Sequence, residues 1–176
     1  MKKRFGFLIG STIFFASCAS PPQTREEFRA IVDEKFDKSP IDLTGLSFAD
    51  AKKRLKDFSE KCLNVEVVKS SPTTSRAGSM TFYSTSTSVT KQKTSLEENG
   101  KTATIYLQRD YGDGGGPFTK VPEGGYYVMM IEIANRSPHP VGTVYYYKSF
   151  LAPTEQAIMK SALAWIGENK KLCPEY

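Results

Sequence analysis

The sequence predicts an α+β fold: an antiparallel meander sheet of about five strands, with two N-terminal helices and one C-terminal helix packed on one of its faces. Apolar residues recur every three or four positions over 24–36, 48–62 and 158–166, and every second position between 64 and 150. These are the helical and strand periods. The strand-like runs follow one another with turn signals and no helical stretch between them, so a parallel sheet built from helical crossovers is not expected. The globular part, 24–176, is within the size of one domain and contains no internal repeat.

Thr24-Arg25-Glu26-Glu27 matches a capping box, in which a hydroxyl and a carboxylate satisfy the free N–H groups of a helix start. Phe28, Ile31, Val32 and Phe36 then fall on one side, and Ser39-Pro40 ends the helix, because proline disfavours the helical conformation in its predecessor. Ser47 opens a second helix reaching about Cys62, with Phe48, Leu55, Phe58 and Cys62 as its apolar stripe. Lys52, Lys53, Arg54, Lys56 and Lys61 occupy its other faces and read as a solvated surface. Residues 64–69 alternate as a first strand. Residues 79–91 form a long serine- and threonine-rich strand in which Met80, Phe82 and Val89 are the few apolar positions, a composition suited to a sheet edge. Glu98-Asn99-Gly100-Lys101 is a turn, and 102–109 alternates with Ala103, Ile105 and Leu107 inward. Residues 126–134 are the most apolar strand and the expected centre of the sheet. The turn at 136–140 leads into a last strand over 141–150. Pro153 falls in the first turn of the closing helix, where its missing N–H costs nothing, and Ile158, Ala162, Leu163, Trp165 and Ile166 line that helix.

The first 17 residues have another character. Lys2, Lys3 and Arg4 precede an eleven-residue segment, 5–15, that is apolar apart from Gly6, Gly10, Ser11 and Thr12. Crossing ~30 Å of hydrocarbon takes roughly 20 apolar residues, so the segment is too short to span and has the layout of an export signal that is removed. Phe15-Ala16-Ser17-Cys18 resembles the lipobox of bacterial lipoproteins; Ala16, Ser17 and Cys18 carry the match, and Phe15 stands where that class usually has leucine. The resemblance implies a signal peptide of 1–17, acylation of Cys18, and a lipidated N-terminus with a short tether over 18–23. Ala19 after the cysteine implies, by the sorting habit of the class, the inner leaflet of the outer membrane, with the domain facing the periplasm. Acyl chains contribute ~0.8 kcal/mol per buried methylene, so several on one cysteine anchor firmly. Cleavage after Ala19 instead, with Ser17 and Ala19 as the small pair, would release a soluble periplasmic protein.

Lysine and arginine number 24 against 19 acidic residues, and the net charge of +5 falls to +2 once Lys2, Lys3 and Arg4 leave with the signal. With no basic face and no recognition motif, a nucleic-acid partner is not expected. Cys62 and Cys173 remain under either cleavage. A lone pair in an oxidising compartment is expected to form a disulfide, closing a loop of about 110 residues that the chain-entropy model values at ~4–5 kcal/mol at most.

Candidate chemistry is sparse. His139, the single histidine, lies between two prolines and has no accompanying nucleophile motif or further ligands, so neither a metal nor histidine-based catalysis is expected. The loop 110–118 (DYGDGGGPF) has three consecutive glycines, but no phosphate-loop lysine or helix start follows, and Asp110 and Asp113 are too few for a calcium loop. It reads as a hairpin loop with scope for partner contact or ligand gating. An enzyme would have to use carboxylates such as Asp110, Asp113, Glu123 or Glu132 as an acid–base pair. Tyr126, Tyr127, Tyr145, Tyr146 and Tyr147 lie on two strands expected to be neighbours. Consecutive residues point to opposite faces, so one set is expected in the core and the other on an uncovered face, a candidate partner surface. The expected function is that of a non-enzymatic envelope lipoprotein, without cofactor, whose domain binds another envelope component, expected to be a protein. The alternative is a periplasmic carrier of a small apolar or glycan ligand held between sheet and helices.

Overall fold

The computed structural model describes residues 22–112, 123–147 and 153–176, apart from the side chains of Ala77, Tyr147 and Pro153. The export segment, Cys18 and Asp113 lie outside the described residues.

Helix α1 (Arg25–Lys35) begins where the capping box predicts. Thr24 Oγ1 accepts from Glu27 N at 3.1 Å, and Glu27 Oε2 accepts from Gln23 N at 2.8 Å, one residue earlier than in the usual box. The helix ends at Lys35, and Phe36–Ile41 forms strand β1, antiparallel to the last strand. This corrects the expectation of a helix continuing to Ser39. The conformation that Pro40 imposes on Ser39 is extended, and an edge strand tolerates the missing N–H of a proline. Phe36 turns its ring onto Phe28, with centroids 4.6 Å apart.

Helix α2 (Phe48–Phe58), capped by Ser47 Oγ accepting from Asp50 N at 3.1 Å, continues through one π-type turn, Ser59–Leu63. Strands β2 (Glu66–Ala77), β3 (Met80–Glu98), β4 (Thr102–Asp110), β5 (Tyr126–Ala134) and β6 (Val141–Tyr147) follow. Helix α3 (Pro153–Ala162) and a second π-type turn, Leu163–Gly167, end the regular structure. The turn predicted after Glu98 is held by Asn99, whose side-chain oxygen accepts from Lys101 N at 2.9 Å and Thr102 N at 2.8 Å.

The strands form one antiparallel sheet in the order β1-β6-β5-β4-β3-β2. The meander is the one predicted, with six strands instead of about five because β1 adds itself beside β6. The helices do not share one face, and here the expectation is corrected. Ala103, Ile105, Leu107, Met129, Ile131, Ile133 and Val144 on one side of the sheet pack with Leu55 and Phe58 of α2 and Ile158, Ala162, Trp165 and Ile166 of α3 and its final turn. On the other side Tyr106 and Met130 pack with Phe28, Val32 and Phe36, so α1 covers the opposite face. The physical reason lies in β4 and β5, where Ile105-Tyr106-Leu107 and Met129-Met130-Ile131 are buried without interruption. A strand apolar on both faces needs cover on both.

Candidate functional site: a free hairpin arm and the cleft at its base

Strand β3 is 19 residues long and has two different surroundings. From Lys91 to Glu98 it pairs with β4 inside the sheet. From Met80 to Lys91 it pairs with β2, so beyond Lys91 the two strands run out as a two-stranded arm. At about 3.4 Å per residue the arm, from Lys91 to Met80, reaches roughly 37 Å. Its turn is two residues long, Gly78-Ser79, and Gly78 takes a φ of +62° that the glycine makes inexpensive. Every described side chain from 68 to 88 is exposed. Most are serine and threonine, but near the tip Phe82 is 52% and Tyr83 82% exposed, with Met80 beside the turn. Met80 and Phe82 share one side of the arm, and Tyr83 lies on the other. Along the open edge, Lys69, Pro72 and Arg76 of β2 oppose pairing with a further strand.

At the base of the arm, on the face that carries α2 and α3, lies a cleft of about 140 Å³ lined by Lys69, Gln92, Arg109, Tyr111, Thr154 and Tyr176, among others. Gln92 and Arg109 face each other across β3 and β4 in register. Arg109 is 4% and Gln92 3% exposed. Arg109 Nη1 donates to the carboxylate of Glu155, in the first turn of α3, and lies 3.5 Å from the Tyr111 hydroxyl. The opposite edge of the guanidinium, Nε and Nη2, has no hydrogen-bond partner among the described residues, and neither has Gln92 Oε1. Arg109 is held in place by its own strand's neighbour: Gly125, at φ +89°, lies so close that a Cβ there would sit 2.2 Å from Arg109 O. Gln108 Nε2 donates to Gly125 O at 3.2 Å on the same approach. On the far wall the Tyr176 hydroxyl donates to Cys62 O at 2.6 Å. Burial pushes that phenol up to about 12, against the opposing pull of the Arg109 charge.

Cys62 and Cys173 form the predicted disulfide. Tyr127 and Tyr145 pack against the α1 cluster, with the Tyr127 ring 6.3 Å from Phe28 and 6.1 Å from Tyr106. Tyr146 packs against the α2–α3 core, and Tyr126 is half-buried. Tyr147 sits opposite Phe36 in the register, its side chain outside the described part. The tyrosines thus divide between faces as alternation requires, but the face expected to be bare carries α1. His139 is exposed, Asp110 Oδ1 accepts from Gly112 N at 2.9 Å, and Glu123 and Glu132 are exposed and half-buried respectively. Among the described residues no group of three or more His, Cys, Asp or Glu is placed to hold a metal, and no helix is long and apolar enough to cross a membrane.

The sequence reading missed the arm and the cleft for different reasons. The arm was half legible: the Gly78-Ser79 pair stands between two serine- and threonine-rich runs of similar length, the pattern of a long hairpin. The cleft has no local signal, because Arg109 and Glu155 are 46 residues apart and meet only when α3 docks. Comparison with protein-family models, curated proteins and solved structures finds no match to this chain.

Proposed function

We propose that the chain is a non-enzymatic envelope lipoprotein, held by an acylated Cys18 in the inner leaflet of the outer membrane, whose α+β domain binds another protein of the envelope. The observation that carries this reading is the free arm. A two-stranded ribbon standing alone in water is marginally stable, and this one keeps Met80, Phe82 and Tyr83 exposed far from either core. Apolar and aromatic side chains at the end of a polar arm suit a partner with an apolar groove, which would bury them and order the ribbon together. The carrier reading is less well supported. Ile158, Ala162 and Ile166 beneath α3 are wholly buried against the sheet, where a carried ligand would have to lie.

The test is site-specific photo-cross-linking in intact cells, with benzoylphenylalanine at position 82 or 83 and, as a control, at exposed Lys53 on α2. A discrete protein adduct from 82 or 83 and none from 53 is expected. The same adducts from all three positions, or none from the arm, overturns the arm as the docking element. Mass spectrometry of the mature chain is expected to find an acylated Cys18 at its start, and a chain starting at Ser20 would exclude the anchor.

A further inference from the structure

The arm does not account for the cleft at its base, where a buried arginine keeps two donors unpaired. A guanidinium buried to this degree normally uses its donors, because a buried polar group without a partner loses its hydration with nothing in exchange. Here one edge is used by Glu155, while Nε and Nη2 form a planar pair of donors with no partner among the described residues. That edge matches the two coplanar oxygens of a carboxylate. The facing Gln92 Oε1 is an unpaired acceptor on the same wall. The cleft therefore asks for two acceptor oxygens and one neighbouring donor. Glu155 neutralises Arg109 locally, and Lys69 at the rim adds a positive charge that favours an anion. Thr154 brings the N-terminal turn of α3 to the same place, and the partial positive charge of a helix start acts in the same direction. At about 140 Å³ the cleft is smaller than the ~300 Å³ or more of a pocket that encloses a whole drug-sized ligand, so it takes the end of a molecule.

We propose that this cleft binds a carboxylate with an N–H donor beside it, the group presented by an N-acyl amino acid at the end of a peptide. The Nε–Nη2 edge of Arg109 takes both carboxylate oxygens, and Gln92 Oε1 accepts from the adjacent amide N–H. This does not depend on the arm having a partner, since the cleft is formed by the sheet, α3 and Tyr176.

The test uses the full chain, isotopically labelled and held in mild detergent, and follows the Arg109 Nε–H resonance. Four probes are titrated: N-acetylalanine, propionate, N-acetylalaninamide and inorganic phosphate. Expected is a saturable shift with N-acetylalanine at a dissociation constant of about 1 mM, the range open to so small a ligand. Propionate, which lacks the donor, is expected to bind about tenfold more weakly, and the uncharged amide not at all. In Gln92→Met, which removes a buried unpaired acceptor and is not expected to impair folding, N-acetylalanine falls to the affinity of propionate while propionate is unchanged. No saturable shift with N-acetylalanine overturns the proposal. So does equal or tighter binding of phosphate, which marks a general anion site, or a Gln92→Met variant that keeps the preference over propionate.

Discussion

Arg109 and Glu155 are 4% and 5% exposed, and each is the other's counter-charge in a site water barely reaches. Two charges taken out of water together need not add net stability, but removing one leaves the other buried and uncompensated. Glu155→Ala is therefore expected to lose about 3–5 kcal/mol in urea denaturation, whereas Glu155→Gln, which keeps an acceptor oxygen, loses about 1–3 kcal/mol. Equal losses for the two variants would show that the charge, not the hydrogen bond, is what Arg109 requires. A second prediction at this scale concerns Tyr176. Its phenol is raised from 10.0 to about 12 by burial, so above pH 10 the unfolded chain gives up the proton first while the folded chain keeps it. Stability from this group is complete below pH 10 and is lost as pH rises towards about 12. Burial raises the phenols of Tyr106 and Tyr145 as well, so their contributions run in the same direction. Denaturation midpoints measured between pH 8 and pH 12 should fall along the alkaline limb, and Tyr176→Phe should fall less steeply. Parallel limbs would assign the titration to other groups.

Among the elements, the arm is separable from the fold in a way no other strand is. Residues 70–87 contribute nothing to either core, and β4 pairs only with the part of β3 from Lys91 onward. Replacing 70–87 by Asn-Gly joins Lys69 to Ser88 through a two-residue hairpin turn. The shortened chain is expected to keep its stability within about 0.5 kcal/mol, as surface changes usually do, and to stop co-purifying with the protein that cross-links to position 82 or 83 of the full chain. Loss of stability by several kcal/mol would mean that the arm supports the sheet. The same contrast explains which elements the sequence announces. β4 and β5 are legible because burial on the sheet imposes alternation or a continuous apolar run. Phe36–Ile41 is polar at 37–39 and carries Pro40, so its strand character comes from pairing with β6. The stripe of Phe28, Val32 and Phe36 announces that α1 buries a face, but not against which side of the sheet. The sign of that side was Tyr106 between Ile105 and Leu107, an aromatic placed where a one-sided strand would carry a polar residue. Gln92 and Arg109 look like solvated strand residues in the sequence, because what buries them is the docking of α3 and Tyr176.

At the scale of the molecule, the last residues are tied back to the middle of the chain rather than packed as an element. From Glu168 onward there is no regular structure, and the segment is held by the Cys62–Cys173 disulfide and by Tyr176 on Cys62 O. Arg54 Nη1 donates to Ile166 O at 3.0 Å and Gly167 O at 3.2 Å, placing a cation at the carbonyl end of the preceding turn. The cross-link separates its cysteines by 111 residues and so encloses the arm, the sheet from β2 to β6 and α3. Most of the chain's unfolded freedom is restricted by that one bond, and removing it is expected to cost about 2–5 kcal/mol. Cys173→Ser is the better variant for measuring this, because Cys173 is exposed whereas Cys62 is buried and its replacement would also disturb packing. Wild type treated with reductant and Cys173→Ser should show the same lowered denaturation midpoint. Both should show a steeper dependence on denaturant, since an uncross-linked unfolded chain exposes more surface. Trypsin should also cut faster after Lys170 and Lys171, both exposed, in the freed tail. A midpoint indifferent to reductant would mean that packing of Trp165, Ile166 and Tyr176 suffices to hold this end, and that the bond adds protection of the tail alone.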